Sequence, residues 1–462
     1  MPSGAAERPG AALARAEWDG PRQETGLGHT GRMTAEVQST SLPLLAIAYG
    51  RLHLEQPLRG LTTAARGVCR ILWVLYSGDP KSRMALRLVK SEGDVEGDVV
   101  NVAGLSPQDA AEKIRSYSPD GITCFIDESV AWTAEIAELL GLPFYSRLTA
   151  SRLTDKLEQR TALRAYGLPT PDFWDVDELA DPAVLASVVE QVGFPLVIKP
   201  RRGVSSQNVA KLASEAELRA ALGTATPGRM LVETFIPDPS VSPMPSWTAP
   251  YVSVEILASH GDVAALGVTG RTPLANGFLE TGQVFPAEVS TQTRQALVDA
   301  AADAVRAVGV ESGVLHVELK WTDAGPVVIE VNGRPGGGNL RTVIERAVHA
   351  DPVQLVMRLA LGDHLAFDGA LDAPTDVGLL LVIHAGPGIR RITAIEGVAE
   401  VEAIPGVAQV SQKLVPGDEV DPGLGTLGCV FEVTAFAPDH ETARQIRDRA
   451  LSTIVISGSE EV

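Results

Sequence analysis

Cysteine is scarce in this sequence: three among 462 residues, at positions 69, 124 and 429, far apart and without metal-ligand spacing. That excludes a disulfide framework and fits a reducing cytosol. Cys69 and Cys124 lie in apolar, strand-like runs and are expected in the core. No apolar run reaches membrane-spanning length, and the first residues carry no apolar signal-peptide core. The expectation is a cytoplasmic protein with no membrane partner. There is also no dense block of Lys or Arg: 39 basic residues against 58 acidic ones give a formal charge of −19. Nucleic acid needs clustered cations, so it is not an expected partner. Two phosphate-binding fingerprints are missing as well. No G-x-G-x-x-G follows the first predicted strand, and the P-loop pattern GxxxxGK[ST] is absent.

What is present is ordinary for a globular chain: 45% apolar and 21% charged residues, and enough length for two to four domains. Residues 1–40 are rich in Gly, Ala, Arg, Glu and Thr without periodicity and read as a disordered extension, or as sequence upstream of a later start such as Met33. From Leu42 apolar runs at 42–50, 69–78, 98–102 and 121–126 alternate with helical stretches at 58–67, 81–90, 107–117 and 129–140, and GLPFYS (141–146) reads as a further short strand. Such alternation predicts a parallel sheet with right-handed crossovers over residues 41–150. Residues 151–374 read as a second domain with a mobile small lobe at about 190–240, and 375–462 as a small α+β lobe with strands at 379–384, 398–404, 408–413 and 429–435.

The most informative stretch is Val314 to Gly338. Val314–Trp321 and Val327–Val331 alternate apolar and polar residues around the turn signal Thr322-Asp323-Ala324-Gly325. A hairpin centred near Ala324 sets Glu318 opposite Glu330 and His316 opposite Asn332. Val317, Leu319, Val327, Ile329 and Val331 then line the other face. Two facing carboxylates repel, and a cation between them turns repulsion into binding. An all-oxygen set with an Asn amide suits Mg²⁺ or Mn²⁺. The glycine-rich tail after Asn332 carries Arg334, whose planar fork suits phosphate oxygens. A second signal is Phe194-Pro-Leu-Val-Ile-Lys199, a strand ending in lysine that runs into a Gly/Ser loop containing Ser205 and Ser206. A strand, a lysine and small residues can cradle phosphate, although a surface turn reads the same way.

Taken in order, these elements resemble the ATP-grasp superfamily of carboxylate–amine ligases over roughly residues 41–455. The ordered set is the strand-rich pre-domain, the helix opened by Asp155-Lys156, the Lys199 loop, Leu231-Val-Glu233-Thr-Phe235-Ile236, and Glu318/Glu330/Asn332/Arg334. Phe278-Leu-Glu280-Thr-Gly-Gln283-Val-Phe-Pro and the C-terminal run from Pro387 are similar to L-amino-acid ligases of the bacilysin-synthetase type. The resemblance implies an ATP-grasp fold of mixed α/β and α+β class: a parallel-sheet pre-domain, a two-lobed core and a C-terminal lobe. It implies that Lys156 and Lys199 contact ATP phosphates, that Ser205 and Ser206 ride on a closing loop, and that Glu233 to Ile236, with Phe235, meet adenine. Glu255 is the expected ribose contact. Glu318 and Glu330 are expected to hold Mg²⁺, with Mn²⁺ as the other candidate ion, and Asn332 to complete the shell. Arg334 and Lys199 are expected to act in catalysis. Glu280, Gln283, His316, Arg334 and Gly337 are expected on the substrate side; His316 is read as a core or outer-shell residue, with a general-base role open. The sequence departs from the family at Gln207-Asn208, where Gly-Val is common, and at Gln283, where His is frequent.

The implied activity joins a carboxylate to an amine, two amino acids giving a dipeptide or related amide, with ADP and phosphate as products. Another ATP-grasp enzyme, using a purine-pathway amine or bicarbonate, and an inactive nucleotide-binding regulator are the alternatives. Small-molecule substrates and a homodimer are the partners implied.

Overall fold

Six consecutive buried residues, Leu44–Tyr49, form β1 at the centre of the first sheet. A strand covered on both faces needs no alternation, which is why this run reads as continuously apolar. Arg70–Leu75 (β2), Asp98–Asn101 (β3) and Gly121–Thr123 (β4) join it in the order β3-β2-β1-β4, every pairing parallel, as expected. The computed structural model describes residues 42–50, 58–79, 84, 87, 96–203, 206–275, 278–366 and 376–460. The expected extension at 1–40 and most of the helix expected at 81–90 lie outside these residues, as does Ser205.

The segment GLPFYS is not a strand. Ser146 instead caps the helix Arg147–Thr154, its Oγ accepting the Thr149 amide. Capping satisfies an amide that the helix itself leaves orphaned. Asp155 does the same for the helix Lys156–Tyr166, which stops at left-handed Gly167.

The small lobe is a four-stranded sheet of Phe173–Asp175 (β5), Leu196–Pro200 (β6), Ala210–Leu212 (β7) and Met230–Thr234 (β8), in the order β5-β8-β6-β7. It begins earlier than the 190 read from the sequence, because β5 pairs with β8. Its core is Leu196, Ile198, Leu212, Leu218 and Val232.

The main sheet has eight antiparallel strands: Tyr251–Ser259 (β9), Asp262–Arg271 (β10), Gly282–Phe285 (β11), Gly313–Thr322 (β12), Gly325–Asn332 (β13), Val377–Ile383 (β14), and, past the strand Arg391–Glu396 (β15), Val407–Gln412 (β16) and Phe431–Ala437 (β17). Their order is β13-β12-β9-β10-β11-β14-β17-β16; Val455–Ser459 (β18) pairs separately with β15. The helix Thr291–Val308 packs Leu297, Ala301, Ala304, Val305 and Val308 against β9, β12 and β13. The C-terminal strands therefore do not form a lobe laid on the core. They extend the core sheet, because β11 offers an open edge that β14 takes. The strand expected at 398–404 is instead the short helix Val398–Glu402, which buries Val401 and follows left-handed Gly397. The helical stretch from Leu340 breaks before Pro352 into Leu340–Val348 and Pro352–Ala360.

Candidate active site

The hairpin of β12 and β13 places Glu318 opposite Glu330 and His316 opposite Asn332. Thr322 pairs with Gly325, a frame one residue away from the one the two carboxylates need. A bulge corrects it: Glu318 pairs with Glu330 and Leu319 with Val328, leaving Ile329 as the extra residue. The sequence reading put Val327 and Ile329 on the core face. The bulge sends Val328 into the core instead and leaves Ile329 lining the cavity on the other side.

That cavity has a volume of about 800 Å³ and runs from the small lobe to the C-terminal strands. Its cationic side is held by ion pairs. Lys156 Nζ lies 2.8 Å from Glu330 Oε1 and donates to the Gly203 carbonyl at 3.0 Å. Lys199 Nζ sits 2.5 Å from Glu233 Oε1, and Arg160 Nε is 3.0 Å from Glu233 Oε2. Burial pushes the Glu233 carboxyl up, but Arg160 and Lys199 outweigh it and hold the group at about 2. Burial lowers the pKa of Lys199, against the pull of Glu233. Glu233 is thus turned to the two cations, while Phe235 lies between Lys211 and Lys320 and the Ile236 carbonyl accepts from Lys320 Nζ at 2.7 Å. At the base of the Gly/Ser loop, Arg201 forks onto Asp155 at 3.0 and 2.8 Å. Ser206 and Asn208 both take left-handed backbone, so the Asn that departs from the family pattern supplies the conformation a glycine would.

Under Glu318 lies a buried polar network. His316 Nδ1 meets Glu255 at 2.9 Å, and its Nε2 is 2.9 Å from Arg271 Nη2 and 3.5 Å from Glu318. Burial lowers the His316 pKa, but the charge and hydrogen bond of Glu255 outweigh it and raise it to about 9, so the ring is charged at neutral pH and its Nδ1–H donates to Glu255. Burial pushes Glu318 up; the hydrogen bond and charge of His316, with Arg271 and Tyr251, hold it at about 2. Glu255 is correspondingly not a ribose contact. It is fully buried, bonded to His316, Ser253 and Thr269, and does not line the cavity. Direct pairing of β9 with β12 sets it beside His316 on the same face, further along the strand than Ser253 and Tyr251. His316 itself reaches the cavity lining, with Nε2 3.5 Å from Glu318. A Cβ on Gly336 would lie 2.5 Å from Leu340 Cδ2 and 2.9 Å from His316 Nδ1, so this position of the loop takes glycine.

Of the remaining expected residues, Glu280, Gln283, Arg334 and Gly337 all line the cavity with Lys156, Lys199, Glu318, Glu330 and Asn332. Arg271 Nη1 grips Glu280 at 2.7 Å, and Gln283 Nε2 donates to the same carboxylate at 3.2 Å. Four participants were not read from the sequence: Arg160, Arg271, Lys320 and Asp127. Asp127 opens a helix of the pre-domain, yet its Oδ2 accepts from Arg334 Nε at 2.7 Å. Tyr145, from the same region, donates to the Gly333 carbonyl at 3.0 Å. The only sequence signal for Asp127 was a carboxylate just past a strand end.

The donor set fits a hard cation. Asn332 gives its Nδ2 to the His316 carbonyl, so its oxygen is the atom left beside the two carboxylates. Among the described residues no group of three or more His, Cys, Asp or Glu side chains could hold an ion unaided. A two-carboxylate site needs other oxygens, and phosphate provides them for Mg²⁺.

Comparison with known proteins gives concordant results. The ATP-grasp domain family matches residues 153–338, and L-amino acid ligase C-terminal domain 2 matches 384–457. Alanine–anticapsin ligase of Bacillus subtilis is 25% identical over 310 residues, 62% of this chain and 60% of its own length. This chain thus spans under two thirds of that relative. D-alanine–D-alanine ligase of Ralstonia pickettii is 30% identical, over 51% of this chain and 72% of its own. The crystal structure of an L-amino acid ligase from Bacillus licheniformis superposes with a TM-score of 0.72 at 23% identity, covering 91% of this chain and all of that one, which establishes the shared fold.

Proposed function

Because this chain belongs to the ATP-grasp family of carboxylate–amine ligases, we propose that it joins two amino acids, giving a dipeptide or related amide, with ATP converted to ADP and phosphate. One observation carries the reading. The facing carboxylates Glu318 and Glu330, the cations Lys156, Lys199 and Arg334, and the C-terminal strands line a single cavity.

A carboxylate is a poor electrophile, so amide formation in water requires its activation as an acyl phosphate. That transfer needs positioning and charge neutralisation more than covalent help. Mg²⁺ held by Glu318, Glu330 and Asn332 would neutralise phosphate oxygens. Lys156 and Lys199 hold the phosphates from the small-lobe side, where their present partners Glu330 and Glu233 keep them oriented. Arg334, fixed by Asp127, faces the charge that develops on the transferred group or on the tetrahedral adduct. Glu280, held by Arg271, offers a carboxylate to an ammonium group of the substrate. The loop through Ser206 covers the reacting carboxyl and excludes water.

The test is phosphate release from ATP and Mg²⁺ over a panel of single amino acids and pairs, with mass spectrometry of the products. Phosphate that depends on particular pairs, with a product mass equal to the pair minus water, is the expected outcome. Release without amino acids, or none across the panel, sinks the reading. Glu330→Gln should abolish the pair-dependent release; wild-type turnover in that variant would remove the metal assignment.

A further inference from the structure

Sheet register extends the site beyond the residues that perform the transfer. Gln283 on β11 pairs with Leu380 on β14, Leu380 with Thr434 on β17, and Thr434 with Gln409 on β16. Directly paired residues share a face, so these four form one row. Two positions along, Val382, Glu432 and Ser411 form a second row on that face. All seven line the cavity, as does Lys413, which follows β16. A bulge between Val407 and Gln409 sets the register that aims Gln409 at the cavity.

The face has a gradient. Next to Gln283 it is apolar, through Leu380 and Val382. One strand further it turns polar: Thr434 and Glu432, then Gln409, Ser411 and Lys413. Adjacent strands lie about 4.8 Å apart, so the polar end begins roughly 9–10 Å from β11. Lys413 and Glu432 pair at 2.9 Å there, and Asn339 donates to Thr434 at 2.8 Å. Gln283 adds a separate observation. Its Nε2 serves Glu280, while its Oε1 is buried without a hydrogen-bond partner. A buried acceptor needs a donor, and a substrate N–H in the cavity supplies one.

We infer that this wall selects an amino acid with a long, amphipathic side chain: a methylene stem over Leu380 and Val382, and a charged or amide tip at Lys413, Glu432 and Gln409. This rests on the proposed ligase reading and goes beyond it by naming the substrate class. An aliphatic side chain of equal length would leave the polar end desolvated and unpaired, which a site built for hydrogen bonds penalises. The ion pair at the tip serves either sign: an acidic tip takes Lys413 and a basic tip takes Glu432.

The test uses the full chain with ATP, Mg²⁺ and a fixed partner amino acid. It compares glutamine, glutamate and lysine with norleucine and leucine by kcat/KM. Binding of the same amino acids is measured by calorimetry with a non-hydrolysable ATP analogue, which reads the pocket without turnover. The expected result is a preference of about tenfold or more for polar tips. Lys413→Met should lower glutamate, and Glu432→Gln should lower lysine, each by a similar factor, with the KM for ATP unchanged. Equal use of norleucine, or tip preferences untouched by both variants, overturns the inference. Tip-dependent binding without any ligation supports the pocket while removing the ligase reading.

Discussion

The two ends of the cavity are built differently. Around the facing carboxylates charged side chains fix one another: Lys156 by Glu330, Lys199 and Arg160 by Glu233, Arg334 by Asp127. At the far end the wall is an outer strand, β16, carrying neutral polar groups and one part-exposed ion pair. The contrast has a physical reason. Phosphoryl transfer demands dipoles and charges already in place, since reorganising them would add to the barrier. Choosing a side chain demands only complementary contacts, which an outer strand can change without disturbing the rest.

The comparison breaks most severely at Glu233. Glu233→Gln leaves Lys199 and Arg160 buried without their anion and should destabilise the fold by about 3–5 kcal/mol, measured by urea unfolding. The same group sets a pH dependence. Its folded pKa, about 2, is below the ordinary glutamate value, so its contribution is present above about 4.3 and is lost as pH falls through about 2. Unfolding free energies recorded down this range should show a decline that Glu233→Gln lacks. Arg334→Ala comes next: kcat should fall about 10²–10³-fold with the fold intact by circular dichroism. Asp127→Asn should cost less, about 10- to 100-fold in kcat, since it loosens Arg334 without removing it. The KM for ATP should stay put; a rise in that constant alone would give Asp127 a different role. The smallest effects belong to the far wall. Gln409→Leu should leave stability and ATP use unchanged, within about 0.5 kcal/mol for a surface position, and alter only the choice of amino acid.

The two ends also differ in how they were read. Glu318, Glu330 and Asn332 sit on one hairpin, where a turn signal and period-two alternation fix who faces whom. Lys199 ends a strand whose loop follows at once. These are local relations, and the structure keeps them, although the bulge at Ile329 altered which β13 residues reach the core. Glu255 failed for the complementary reason. Its place on β9 was visible, but that His316 would bond it and bury it outside the cavity lining depended on β12 lying alongside. The stretch 398–404 has the apolar content of a strand; packing of Val401 into the C-terminal core made it helical.

The sequence by itself determined the elements and the chemistry within each: the paired carboxylates, the lysine-ended strand, the capped helices and the glycine-rich turn past Asn332. These depend on propensity, side-chain period and turn geometry, which act over a few residues. Only the tertiary structure decided which distant groups complete them. Asp127 reaches Arg334 across 207 positions, and Lys156 meets Glu330 from the helix it opens. The row from Gln283 to Gln409 exists because β14 pairs with β11 rather than forming a sheet of its own. Side-chain contacts between strands follow from register, and register between distant strands is settled by the packing of the whole sheet.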